Sequence, residues 1–290
     1  MQKLFRGTGV ALVTPFDSAL KIDYKSFEKL LEFNAQGGVD YFVVNGTTGE
    51  SATTNKQEKR ALLKFIQEHN PKKLPIVYGT GGYDTLDIVE HVQEMDWTGV
   101  DALLSVSPYY NRPSQKGIIA HYEAVADACP VPVILYNVPK RTGSNVSAAA
   151  TIELSKHKNI VGIKEASGDF GQIVDIVANK PDDFILISGD DMCTVPMISI
   201  GAVGVISVLA NGFPAEMSSM VRAALDANYP LATTYLSKLS HINPHMYSEA
   251  SPVGIKEVLR LMGICENYVR LPLVGPSPEL TSTIKRLIKR

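Results

Sequence analysis

The sequence predicts an α/β protein: a (β/α)8 TIM barrel followed by a C-terminal helical appendage. Three observations predict it. Short apolar runs rich in β-branched residues recur eight times before about residue 228. Segments with apolar residues at helical spacing lie between them, and beyond that point only the helical spacing continues. Strands that alternate with helices pair in parallel, and eight such units in this length suit a closed barrel better than an open sheet.

The runs are VALVT from Val10, YFVV from Tyr41, PIVYG from Pro75, ALLSV from Ala102, PVILY from Pro132, IVGIK from Ile160, FILIS from Phe184 and GVISV from Gly204. Parallel strands are covered on both faces, so they read as continuous apolar runs without alternation. Between them, Phe27, Leu30 and Leu31 share a helical face, as do Leu62, Phe65 and Ile66. Ile88, Val92 and Met95 form another such face, and Ile118, Tyr122 and Val125 a fourth. Past the barrel, helical spacing covers Leu231 to Ile242, then Ile255, Val258, Leu259 and Met262, then Leu280, Ile284, Leu287 and Ile288. The expected division is residues 1–228 for the barrel and 229–290 for a helical subdomain packed on it, because no low-complexity linker separates them. An open doubly wound sheet would carry a G-x-G-x-x-G turn after its first strand, and VTPFDS is not one.

Composition narrows the function. The 290 residues are 45% hydrophobic and 20% charged, with a formal net charge of -2. Nothing in that balance points to nucleic acid or an anionic membrane as partner. No apolar run approaches the ~18 residues of a membrane span. The start, MQKLFRGTGVALVTPF, is basic and partly apolar, but Pro15 and Asp17 break the run and no small-residue cleavage site follows, so a signal peptide is not expected. Cys129, Cys193 and Cys265 are odd in number and far apart, with neither metal nor disulfide spacing, which suits a reducing cytoplasm.

Barrel chemistry sits at the carboxyl ends of the strands. That rule selects NGTTGES (45–51), SPYYNRP (107–113), YNVPKRTG (136–143), KEASG (164–168), SGDD (188–191) and SVLAN (207–211). Lys164 ends the run NIVGIK. Burial disfavours a charged amine, and a neutral amine can add to a ketone and form an iminium that acts as an electron sink. The alternative is a lysine that reaches solvent or pairs with Glu165. Thr47 and Thr48 offer two hydroxyls between Gly46 and Gly49, glycines that let a backbone turn tightly and present N–H groups to a carboxylate. The plainer alternative is a loop in which Thr53, Thr54 or Asn55 caps the next helix. Tyr136 ends a strand and can relay a proton or serve as a core aromatic. Arg141 suits two-point contact with a carboxylate, or is a solvated loop arginine. Tyr109 and Tyr110 fit packing or interface roles. His241 and His245 have metal-pair spacing, but Pro244 lies between them and no third ligand is evident, so no metal is expected. Asp190 and Asp191 are expected to cap a helix, and their charge opposes a phosphate site after the seventh strand.

Taken together, GTTGES at 46–51, SPYYNRPSQKG at 107–117, LYNVPKRTG at 135–143, GIKEASGD at 162–169, SGDD at 188–191 and GVISV at 204–208 resemble the dihydrodipicolinate synthase family. The wider superfamily includes N-acetylneuraminate lyase and keto-deoxy sugar acid aldolases, while the arginine of PKRTG and the tyrosine pair of SPYYNRP look like the synthase branch. The resemblance implies that Lys164 forms an iminium with pyruvate and that the enamine attacks L-aspartate 4-semialdehyde. Tyr136, Thr47 and Tyr110 match the family's proton-relay trio. Thr48 and the backbone near Ile206 match the pyruvate-carboxylate site, Gly189 is a further substrate-binding position, and Arg141 matches the receiver of the semialdehyde. No cofactor and no metal are implied. Tyr110 is expected to reach a neighbouring subunit's site, which implies a homodimer paired into a tetramer. Ser51, Ala52 and Tyr109 match the family's L-lysine effector site. There the sequence departs from sensitive members: Lys56 and Lys59 replace histidines, Tyr83 an asparagine and Asp87 a glutamate. Weak or absent inhibition by L-lysine is therefore expected. Two rivals are a sugar acid aldolase, which would not need Arg141, and a non-catalytic metabolite-binding barrel, which would not need Lys164, Tyr136 and Thr47 together.

Overall fold

In the computed structural model, which describes residues 3–288, eight strands close into a barrel in sequence order. They are β1 (Gly7–Ala11), β2 (Tyr41–Val44), β3 (Ile76–Thr80), β4 (Ala102–Val106), β5 (Val133–Asn137), β6 (Ile160–Glu165), β7 (Ile185–Ser188) and β8 (Gly204–Ser207). The helices are α1 (Tyr24–Gln36), α2 (Lys56–His69), α3 (Thr85–Glu94), α4 (Gln115–Ala128), the single turn α5 (Pro139–Thr142), α6 (Ala148–Leu154), α7 (Phe170–Asn179), α8 (Thr194–Ser199) and α9 (Pro214–Leu225). Beyond them come α10 (Tyr229–Ser240), α11 (Val253–Leu261) and α12 (Pro278–Ile288).

Strands and helices fall where the apolar patterns put them, with instructive exceptions. β1 starts at Gly7, ahead of the run from Val10. Gly-Thr-Gly has no apolar side chain to signal a strand, yet Gly9 is demanded by packing: a Cβ there would lie 2.2 Å from the ring of Tyr41. Met95 falls just past α3, and Met262 caps the end of α11 and is 38% exposed, so neither extends its helical face inward. Phe27, Leu30 and Leu31 in α1 and Ile118, Tyr122 and Val125 in α4 are buried as predicted, whereas Phe65, Leu287 and Ile288 are only half-buried and Leu231 is exposed. Short polar side chains fix where helices begin. Asp23, Asp84, Ser114, Ser147 and Asp169 each accept a backbone N–H of the following turn, which satisfies donors that have no partner inside the helix.

The chain forms two compact units. One holds Met1–Arg6 and Pro75–Ile206, and so β3 through most of β8. The other holds Gly7–Leu74 and Ser207–Arg290, so the C-terminal helices share a unit with β1, β2, α1 and α2. In that second unit α11 is buried from Val253 to Leu259, including Lys256 and Glu257. No helix of the described residues is long and apolar enough to cross a membrane.

Candidate active site

In the first unit, β5 and β6 run parallel with Tyr136 opposite Lys164 and Asn137 opposite Glu165. Successive side chains on a strand face opposite ways, so this register places one pair on each face. Lys164 Nζ lies 4.2 Å from the centre of the Tyr136 ring. The lysine is 6% exposed and the tyrosine 8%. Glu165 faces away and is held elsewhere. Its carboxylate accepts bonds from Asn137 Nδ2 at 3.0 and 3.2 Å, from Gln172 Nε2 at 3.1 Å and from the Ser167 N–H at 2.6 Å. Burial raises its pKa, and these hydrogen bonds act in the opposite direction. The alternative of a Lys164–Glu165 pair, or of a lysine reaching solvent, is thereby set aside. Sequence reasoning missed the Asn137–Glu165 lock; its only signal was the strand period, which puts residue 165 on the face opposite 164.

The end of β7 completes this wall. A Cβ on Gly189 would lie 3.1 Å from Lys164 Cε and 2.7 Å from the Ala166 Cβ. The Gly189 N–H donates to the Glu165 carbonyl at 2.8 Å. Gly189 therefore gives the lysine stem its room. Ile206 on β8 is 1% exposed. Arg141 is exposed on α5, a turn that follows β5 directly and ends at Gly143 with φ 72°.

The tyrosines after β4 cluster with Tyr83. Its ring meets Tyr109 edge-on at 5.7 Å and Tyr110 at 6.3 Å. Tyr109 is half-buried, and that burial, with Tyr83 beside it, raises its pKa. Tyr110 is 85% exposed and sits at φ 71°, a backbone conformation unfavourable to a bulky residue. Asp87 is exposed in the first turn of α3.

In the second unit, Thr47–Gly49 forms one 3₁₀ turn directly after β2. Thr47 is exposed and Thr48 is 5% exposed. The left-handed positions flanking this turn are Asn45 (φ 59°) and Glu50 (φ 55°), not the glycines. Gly49 packs closely instead: a Cβ there would come within 3.1 Å of the Leu12 carbonyl, a tight contact. Asn55 caps α2 in a capping box with Glu58, so cap and turn coexist. Ser51 is half-buried, and Ala52 and Lys56 are exposed. Glu50 has a buried partner that the sequence does not announce, Lys256 on α11. A lysine beside Glu257 on an amphipathic helix reads as a surface residue.

The weaker candidates resolve simply. His241 ends α10, whereas His245 lies in the next 3₁₀ turn, Asn243–Met246. Asp190 does not cap α8, whose capping position is Cys193 with no side-chain bond. It instead turns the chain ahead of that helix, accepting the N–H groups of Met192 and Cys193 at 2.8 and 3.1 Å. The cysteines are unpaired, and burial pushes Cys129 up to about 11 and Cys265 up to about 12, so both remain thiols at neutral pH.

A buried lysine thus faces a tyrosine at adjoining strand ends of an eightfold β/α barrel, the end where enzymes of this fold class keep their active sites. The chain belongs to the dihydrodipicolinate synthetase family, whose model matches residues 4–290. It is 54% identical to the 4-hydroxy-tetrahydrodipicolinate synthase of Cytophaga hutchinsonii, over 97% of this chain and 95% of the relative. It is also similar to the chloride-inhibited dihydrodipicolinate synthase of Acinetobacter baumannii, solved in complex with pyruvate. That match has a TM-score of 0.95 at 35% identity, over 98% of each chain. The synthase of Cyanidioschyzon merolae, solved with lysine bound, matches with a TM-score of 0.94 at 35% identity, over 99% of this chain and 98% of that one.

Proposed function

We propose that this chain condenses pyruvate with L-aspartate 4-semialdehyde through a Schiff base on Lys164. The product is 4-hydroxy-tetrahydrodipicolinate, and the step belongs to lysine and diaminopimelate biosynthesis. The observation that carries the assignment of the nucleophile is the lysine itself: buried at a strand end, its amine over Tyr136, its stem against Gly189.

The chemistry follows from those groups. The neutral amine adds to the pyruvate ketone, and loss of water gives the iminium. Loss of a methyl proton then gives an enamine, whose carbon attacks the aldehyde of the semialdehyde and forms the new C–C bond. The substrate's own amine closes the ring on the iminium carbon and displaces Lys164. Each step moves a proton, which is the work assigned to Tyr136, Thr47 and Tyr110. Thr48, Gly189 and the backbone near Ile206 receive pyruvate, and Arg141 receives the carboxylate of the semialdehyde. The exposure and left-handed backbone of Tyr110 suit a side chain delivered to a neighbouring subunit. This supports a homodimer that pairs into a tetramer, with residues 1–228 as the catalytic barrel and 229–290 as its support. A cytoplasmic enzyme fits the unpaired cysteines.

A coupled assay tests the substrate pair. Pyruvate with aspartate semialdehyde should turn over, and pyruvate with N-acetylmannosamine should not; activity only with the latter would move the chain to the sugar acid branch. Adding L-lysine at fixed substrates should inhibit weakly or not at all, because Asp87 is a methylene shorter than glutamate and Lys56 and Lys59 bring cations towards the effector. Strong inhibition at submillimolar L-lysine would contradict that.

A further inference from the structure

The buried charge pair of Glu50 and Lys256 lies outside the chemistry above. Lys256 Nζ meets Glu50 Oε1 at 2.5 Å, the two side chains being 0% and 1% exposed. Lys256 also donates to the Tyr268 carbonyl at 2.7 Å, and the Arg270 N–H donates to Glu50 Oε2 at 3.0 Å. Lys256 Nζ and the Arg270 guanidinium carbon each lie 4.3 Å from the ring centre of Phe16, itself fully buried. Arg270 is fixed in turn by two-point contact with Glu58 at 2.6 and 2.8 Å, and by the Thr53 carbonyl at 2.9 Å.

Stability is a poor reason for such a pair. Desolvating two charges offsets most of their attraction, and apolar replacements are often neutral or better. Burial lowers the pKa of Lys256, and Glu50 acts against that shift. What the pair does supply is direction. Glu50 holds a left-handed backbone (φ 55°), and its N–H closes the preceding turn by donating to the Thr47 carbonyl at 3.1 Å. One residue thus ties the Thr47–Thr48 turn through its main chain and the C-terminal segment through its carboxylate.

We propose that Glu50 is a positioning residue: held by Lys256 and the Arg270 amide, it fixes the Thr47–Thr48 turn in the conformation that receives pyruvate. This rests on the assignment of that turn to pyruvate made above. It gives α11 and the stretch through Arg270 a part in the reaction from a distance.

The test is steady-state kinetics on two variants. Glu50→Gln keeps shape but cannot accept both bonds as an anion. Glu50→Gln with Lys256→Met removes both charges, so no unpaired charge is left buried, and whichever variant folds by circular dichroism decides the outcome. The expected result is a rise of about tenfold or more in KM for pyruvate with KM for the semialdehyde nearly unchanged, a split that loss of stability alone would not produce. Thr48→Val should raise the same constant, and adding Glu50→Gln to it should raise it little further, because coupled residues are not additive. A folded variant with wild-type KM for pyruvate overturns the proposal while Thr48→Val remains impaired. If Thr48→Val itself leaves that constant unchanged, the assignment of the turn to pyruvate fails and the proposal with it.

Discussion

Lys164 and Tyr136 owe their meeting to register. Both were legible in the sequence, since each ends an apolar run and strand ends are where a barrel keeps its chemistry. Their partners on the opposite face were not. In the sequence Glu165 reads only as a partner of Lys164 and Asn137 is not singled out, and only the three-dimensional pairing of β5 with β6 shows that they interlock. Gly189 was legible as a candidate without a reason; the reason is the room it leaves the lysine stem. The Tyr136 hydroxyl has the most specific proposed role at this scale. Tyr136→Phe retains the ring beside the amine and deletes the hydroxyl proposed to carry protons. We expect kcat to fall about 10²–10⁴-fold with an unchanged circular dichroism spectrum. A near-normal rate would reduce Tyr136 to packing.

At the scale of elements, apolar periodicity located every strand because parallel strands buried on both faces leave a run that loops do not imitate. It failed where packing demanded the absence of a side chain, as at Gly7 and Gly9 in β1. It overran where an apolar residue sits just beyond a helix end, as at Met95 and Met262. Between α3 and α4, packing buries a titratable group. His121 is 4% exposed, its Nδ1 lies 2.9 Å from Thr85 Oγ1, and its Nε2 is buried without a partner among the described residues. Desolvation lowers its pKa from 6.5 to about 4. The unfolded chain therefore binds the proton more readily, so stability rises with pH across this window. The contribution is complete above about pH 6.5 and is lost as pH falls towards about 4, a change of about 3 kcal/mol. Urea unfolding at pH 7 and pH 4.5 should show it as a difference between wild type and His121→Asn that shrinks at the lower pH. A pH-independent difference would show that His121 is not buried neutral.

For the whole molecule, the division of labour was only partly visible. The helical segment after Asn228 was legible as helices, yet nothing in its pattern marked Lys256 as the buried partner of Glu50. Ion pairs between residues far apart in sequence leave no periodic trace. The tyrosine after β4 raises the question of assembly, because Tyr110 turns an exposed ring outward at a cost in backbone conformation. If it completes a neighbour's relay, inactive Tyr110→Phe and inactive Lys164→Ala subunits should regain activity when mixed, since hybrid dimers carry one intact site. Verified subunit exchange without recovery would argue for a site contained in one chain.

The proposed nucleophile, on which the whole mechanism depends, can be tested directly. Treating the protein with pyruvate and borohydride should reduce the iminium to a stable secondary amine, and peptide mass spectrometry should find the reduced pyruvyl group on Lys164. Activity should be lost in step with labelling, and Lys164→Ala should take up no label. Label on another lysine, with Lys164 unmodified, would contradict the mechanism.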